Sequence, residues 1–351
     1  MLVQGALFLV ALEVLSALLA PWLSPSSSFV AVLFPPPVPR PEEGIPELLA
    51  LMDKYVGVAE LQTRGCLSLV GTLVSAPDEM FMPASESIAA ALRNHGASNS
   101  AVAGLCCAAL VEVIGRIHAA DASTSSIVDG ALAAAVGSIE SNLGHPHVCA
   151  ECLRVVWLLA VPPADKARVA EAATDVVVKA LGAHGAAESM VAEYGAGALW
   201  SFTSEDVTER QRVLTRGGAP VLISALNGHL DDGVVVKQAA GALWSLAAQP
   251  GNTTEVLMRL GAGGALVGAL RKHMRDTSVA ETVFGALHSL AASESNRDAL
   301  SLLGAVEAVQ ESMRLFAQES DDSAFIAKGV RCVDKILSKD PVPEAPKIVI
   351  N

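Results

Sequence analysis

Aromatic side chains, charges and basic residues are all scarce in this chain. Only 4% of its 351 residues are Phe, Trp or Tyr and 17% are charged, against 52% hydrophobic. Lys and Arg total 24 against 37 Asp and Glu, a formal net charge of -13. That balance argues against a nucleic-acid-binding face as the main business of the chain, and no nucleic-acid partner is assigned. The apolar content is largely alanine, which suits a helical core of small side chains. No segment shows the strict apolar/polar alternation of a half-buried strand. With so few aromatics, any that recur in register are informative.

Basic residues are missing from the first 39 positions, where Glu13 is the single charge. A secretory signal would need a basic start, and cleavage after Ala20 would leave Pro21 first. A membrane span is long enough, but Glu13 would lie mid-segment at a cost of roughly 2.5–3.5 kcal/mol. The remaining readings of residues 1–23 are a helix that caps the rest of the chain, or a disordered start. "ALEVLSALLAP" matches "CLSLVGTLVSAP" in pattern, which supports the cap. "FPPPVPRP" then reads as a stiff polyproline linker. Its PxxP, Pro36 and Pro39, lacks the intervening residue before Arg40 that an Arg-terminated ligand motif carries. Six cysteines do not form a disulfide framework on this reading, because Cys66, Cys107 and Cys152 fall in one repeated small-residue position. They are expected as free, packed thiols, which implies a reducing compartment, the cytoplasm, with the nucleus also open.

What the chain has is repetition. "EYGAGALWSFTSE" (Glu193 to Glu205), "KQAAGALWSLAAQ" (Lys237 to Gln249) and "ETVFGALHSLAAS" (Glu281 to Ser293) are one helix written three times. A small-residue column runs through Cys66, Cys107, Cys152, Gly195, Ala239, Val283 and Gly329, in steps of 41 to 46. A second column, from the preceding helix, runs through Leu51, Leu92, Val136, Leu181, Leu226, Leu270 and Met313, in steps of 41 to 45. Two columns drifting together at this period, with two helices visible per unit, indicate an α-solenoid. One unit cannot bury its apolar face alone, so neighbours stack. The linkers "ERQRVLTRGGAPVL", "TTEVLMRLGAGGAL" and "NRDALSLLGAVEAV" each put a short amphipathic turn before a Gly-Ala pair, where glycine permits positive φ.

"NTTEVLMRLGAGGALVGALRKH" read with "VKQAAGALWSLAAQ" resembles an armadillo repeat, specifically over residues 173–292 and more loosely over 45–172 and beyond 304. HEAT-type units are the alternative. The resemblance implies an all-α, right-handed α-solenoid, an armadillo-like superhelix of about seven repeats over residues 42–339. Residues 1–41 precede it as a hydrophobic element and linker, and 340–351 come after it as a tail. It also implies that the "GALW" helix is the third of each unit and lines a concave groove.

At 100° per residue, with Leu243 at the core, Ala239, Ala240, Leu246 and Ala247 share the buried side. Gly241, Ser245 and Gln238 lie opposite, flanked by Lys237 and Trp244. The same wheel puts Glu193, Tyr194, Gly197, Trp200 and Ser201 on the open face one unit earlier, and Glu281, Thr282, Gly285, His288 and Ser289 one unit later. The tryptophan column continues back to Trp157, so three of the four tryptophans share one position. Two readings of these rings compete: wedges between units, or an aromatic ladder that anchors a bound segment. On the second, Ser201 and Ser245 would bond the ligand's main chain, and Glu193 and Glu281 would mildly favour a basic ligand.

The expected function is a non-catalytic scaffold or adaptor holding an extended peptide or helix in the groove. A nuclear-transport-type cargo receptor and a scaffold tethered to a membrane through residues 1–23 are the alternatives. Beta-catenin-like members carry Arg–Asn where this chain has Trp200–Ser201, Trp244–Ser245 and His288–Ser289, which argues against an acidic ligand of that kind. The importin-alpha pattern W-x-x-x-N falls on Gly197 and Ser201, Gly241 and Ser245, Gly285 and Ser289, with neither member present. Leu2 replaces the glycine that myristoylation needs, and "KIVIN" is no prenylation box. "HPHVCAEC" offers His145, His147, Cys149 and Cys152 as zinc ligands, but both thiols align with small packing residues of other units. His95, His184, His229 and His273 sit at helix C-termini, where partial positive charge is favourable. Asn252 opens a glycosylation sequon, relevant only to a secreted chain. No nucleophile elbow, phosphate loop or carboxylate pair stands out. Neither enzyme, metal nor cofactor is assigned, and the oligomeric state is left open.

Overall fold

A computed structural model describes residues 44–119, 127–249, 251–318 and 323–338. The element at 1–41 and the tail at 340–351, with the cap and membrane readings attached to them, lie outside the described residues. Within these there are 17 α-helices and no strand. They fall into two compact units, divided between 122 and 123.

The first unit holds α1 (Ile45–Lys54), α2 (Ala59–Thr72), α3 (Phe81–His95) and α4 (Ser100–Ala119). Pro46 opens α1, where a missing N–H costs nothing. The helices form two hairpins, α1 with α2 and α3 with α4, stacked so that α2 lies against α4. α4 is long and apolar enough to cross a membrane, but its apolar surface is packed inside the unit: Val102, Ala103, Cys106, Leu110 and Ile114 are fully buried. The free-thiol expectation fails at Cys66, Cys106, Cys107 and Cys152, all of which are disulfide-bonded. Cys66 on α2 and Cys106 on α4 are joined by a disulfide, their α-carbons 5.1 Å apart. Aligned positions such as Cys66 and Cys107 are equivalent places one repeat apart. The residue that faces Cys66 is the neighbour, Cys106. The argument for a reducing compartment loses its support at this pair. Cys149 and Cys332 are free and buried.

The second unit holds five repeats. α5 (Val128–Ser141) pairs with α6 (Pro146–Leu159), and α7 (Pro163–His184) with α8 (Ser189–Thr203). Three triplets complete it: α9 (Val207–Thr215), α10 (Gly218–Gly228), α11 (Gly233–Ala247); α12 (Thr253–Arg259), α13 (Ala262–Lys272), α14 (Thr277–Leu290); α15 (Glu294–Leu302), α16 (Ala305–Phe316), α17 (Ser323–Leu337). The amphipathic linkers are thus short helices in their own right. Two repeats in the first unit and five in the second make the seven that the period implies. In the second unit the last helices of successive repeats pack side by side, in the order α6, α8, α11, α14, α17. The helices before them form a parallel row, α5, α7, α10, α13, α16.

Local chemistry sets the breaks. Gly217, Gly261 and Gly304 have φ of 83°, 94° and 76° and stand at the N-caps of α10, α13 and α16. A side chain there would be strained, in keeping with the Gly-Ala pairs of the sequence. Asp206, Asp232 and Asp276 each accept backbone N–H bonds at the starts of α9, α11 and α14. The small-residue column is buried throughout the unit, at Cys152, Gly195, Ala239, Val283 and Gly329. Its smallness has a cause at Gly195, where a β-carbon would meet Leu181 Cδ2 at 2.7 Å.

The histidine column does more than complement helix dipoles. His184 Nε2 lies 2.6 Å from the Leu143 carbonyl, His229 Nε2 3.0 Å from Gly185 and His273 Nε2 2.9 Å from Leu230. In the first unit His95 repeats the bond to Val56, at 2.7 Å. A carbonyl can only accept, so Nε2 carries the proton and donates. Each ring therefore ties its repeat to the one before.

Candidate functional site: the aromatic face of the second unit

The face built by α6, α8, α11, α14 and α17 collects the aromatic ladder and its flanking residues. Leu243 is 1% exposed, and Ala239, Ala240 and Leu246 are fully buried, which fixes the inner side of α11. The outer side is less open than a single helix suggests. Gly197 and Gly241, placed opposite the core by the helical wheel, are buried. A β-carbon on Gly197 would fall 2.8 Å from Trp157 Cε2, one on Gly241 2.5 Å from Trp200 Cδ2, and one on Gly285 2.6 Å from Trp244 Cε2. Each indole lies across the glycine of the next repeat. Glycine is required there because any side chain would push the ring away.

The rings are therefore both wedge and surface. Trp157 and Trp200 are half-buried, while Trp244 remains 40% exposed. Tyr194 sits beside Trp157 with ring centroids 6.2 Å apart, and the Arg154 guanidinium lies 5.7 Å from the tyrosine centroid. A cation over that ring face is attracted by its quadrupole. Burial, then the nearby Asp232 carboxylate, raises the pKa of Glu193 despite the opposing pull of Arg154. Burial and Glu193 raise that of Tyr194.

Ser245 does not offer its hydroxyl to a ligand. It is 8% exposed and its Oγ donates to the Thr203 carbonyl at 2.5 Å. Packing of α11 against the end of α8 takes up that hydrogen bond. Ser201, Lys237, Glu281 and Ser289 are half-buried and His288 is exposed. Glu281 is not free charge, since Lys328 on α17 pairs with it at 2.7 Å. Burial lowers the His288 pKa, and Lys335 and Arg331 lower it further, which favours the neutral ring.

At the far end of the face a pocket of about 340 Å³ opens between α14 and α17. Trp200, Trp244, Phe284 and Gly285 give it an apolar wall, and Glu281, His288, Lys328 and Arg331 a polar rim. Sequence reasoning missed Lys328 and Arg331, although the column that pairs Val283 with Gly329 places them beside the face.

Among the described residues, no three His, Cys, Asp or Glu side chains converge as a metal site would need. Cys149 belongs to packing: its thiol reaches toward the Asn142 carbonyl at 3.6 Å, and burial pushes its pKa up to about 11.

No family profile and no curated protein matches this chain. Solved structures do. An engineered protein aligns with 84% of this chain and 99% of its own length at 20% identity, TM-score 0.53. A designed armadillo repeat protein in complex with the peptide (KR)4 aligns over 76% of this chain and 98% of its own, at 18% identity and TM-score 0.50. The likeness is one of fold: the chain is an all-α, armadillo-like array of helical repeats.

Proposed function

We propose that this protein is a non-catalytic scaffold whose second unit binds an extended peptide of a partner protein along the α6–α17 face. One observation carries the reading. Trp157, Trp200 and Trp244 are held in register by glycines of the following repeats, with Tyr194 beside the first and an apolar pocket beyond the last. A row of partly exposed aromatic rings, immobilised before any ligand arrives, buries large area at low entropic cost. The armadillo repeat protein solved with (KR)4 lends the mode support by analogy of fold.

The experiment is selection of peptides from a random library on the immobilised full chain, and then photo-crosslinking of the selected peptides. The reading predicts crosslinks to α8, α11 and α14. Crosslinks confined to the short helices α9, α12 and α15 would overturn it.

A further inference from the structure

Three rings in succession each cover a glycine of the next repeat, and the fourth place in that series breaks the rule. By the same column, His288 stands where the ladder has tryptophan and Arg331 where it has glycine. An imidazole is too small to close the space and a guanidinium too large to be covered. The outcome is the pocket of about 340 Å³ beside Trp244, which keeps the most exposed of the three ladder rings as its wall.

The charges at its mouth favour one sign. Glu281, the carboxylate of the rim, is already neutralised by Lys328 at 2.7 Å. Arg331 is exposed and makes no ion pair among the described residues, and Lys335 lies one turn further along α17. Asp334 is exposed on the same helix but does not line the pocket. His288 lines the same rim and adds a hydrogen-bonding edge. An apolar chamber with a free guanidinium at its rim matches a bulky apolar side chain next to a carboxylate, which that fork can bind through two parallel bonds.

Resting on the peptide-binding reading, we infer that this pocket is the anchor subsite of the face. It takes a Leu- or Phe-sized side chain of a partner peptide whose adjoining residue is Asp or Glu. The resulting ligand preference is acidic at this end, opposite to the basic one suggested by counting Glu193 and Glu281 alone.

The test uses the full chain labelled with 5-fluorotryptophan. Its four tryptophans give separable fluorine resonances, assigned with single Trp→Phe variants. The probes are acetyl-GLFEEG-amide and its lysine counterpart acetyl-GLFKKG-amide. The inference predicts saturable movement of the Trp244 resonance with the glutamate peptide and about tenfold weaker binding of the lysine peptide. Arg331→Glu, at an exposed site that leaves the fold intact, should exchange the preference. A Trp244 resonance unmoved by either peptide would overturn it, as would equal or better binding of the lysine peptide, or indifference to Arg331→Glu. Movement of Trp157 without Trp244 would leave the peptide face standing and remove this subsite. Stillness of all the resonances, with library-selected peptides as well, would remove both.

Discussion

Trp200 lies so close over Gly241 that a β-carbon on the glycine would sit 2.5 Å from the ring atom Cδ2. Replacing glycine by alanine inside a helix ordinarily stabilises by about 0.5–1 kcal/mol. Here the added methyl must displace an indole, and overpacking of this kind costs about 1–3 kcal/mol. Gly241→Ala should therefore lower the melting temperature. Gly137→Ala on α5, where nothing lies within 4 Å, should raise it. Equal stabilisation by both changes would remove the ladder from the account.

That relationship also marks where sequence reasoning stopped. The period, the seven repeats, the buried column from Cys152 to Gly329 and the positive φ at Gly217, Gly261 and Gly304 were legible because each shows as a pattern that recurs along the chain. Gly197, Gly241 and Ser245 were placed on an open face because a helical wheel knows only its own helix. The ring that covers each glycine, and the Thr203 carbonyl that accepts the Ser245 hydrogen bond, come from the repeat before. The signal was present, since each of the glycines at 197, 241 and 285 precedes its own Trp or His by three residues in "GALW" or "GALH". The Cys66–Cys106 bond escaped for a related reason: column alignment reports which positions are equivalent, and not which ones touch.

The histidine ties make a separate prediction. His229→Ala leaves the Gly185 carbonyl without its donor at a joint between repeats, a loss of about 0.5–1.5 kcal/mol. His147→Ala, at an exposed position on α6, should stay within about 0.5 kcal/mol of the parent. Thermal melts compare the two, and hydrogen exchange should localise the first effect to α7 through α10.

Glu193 supplies a pH test. Burial and Asp232 raise its pKa above the ordinary 4.5, so the folded state holds this proton more tightly than the unfolded one. Its contribution to stability is present below pH 4.5 and is lost as pH rises through the folded-state value. Glu193→Gln should therefore raise the melting temperature at pH 7, with the gain shrinking as pH falls through the raised folded-state value and gone below about 4.5. A gain independent of pH would point to packing instead of charge.

In the first unit, the Cys66–Cys106 bond closes a loop with a sequence separation of 40 residues. The chain-entropy model assigns such a crosslink about 4 kcal/mol. Cys66→Ala should accelerate hydrogen exchange in α2 and α4 and leave α11 and α14 unchanged. Peptide mapping without reductant should recover the two cysteines in one linked fragment. Their recovery as separate alkylated peptides would refute the pairing.

The central claim, that the tryptophan face receives a peptide, is tested most directly at Trp244, the ladder ring that keeps 40% of its surface exposed. The measurement is the affinity of one library-selected peptide for the parent chain and for Trp244→Ala, with melting temperatures recorded on the same samples. Loss of at least about 2 kcal/mol of binding, beyond any change in the folded fraction, is the result the account predicts. Unchanged affinity per folded molecule, with a large fall in melting temperature, would make the ring a packing residue only and contradict the account.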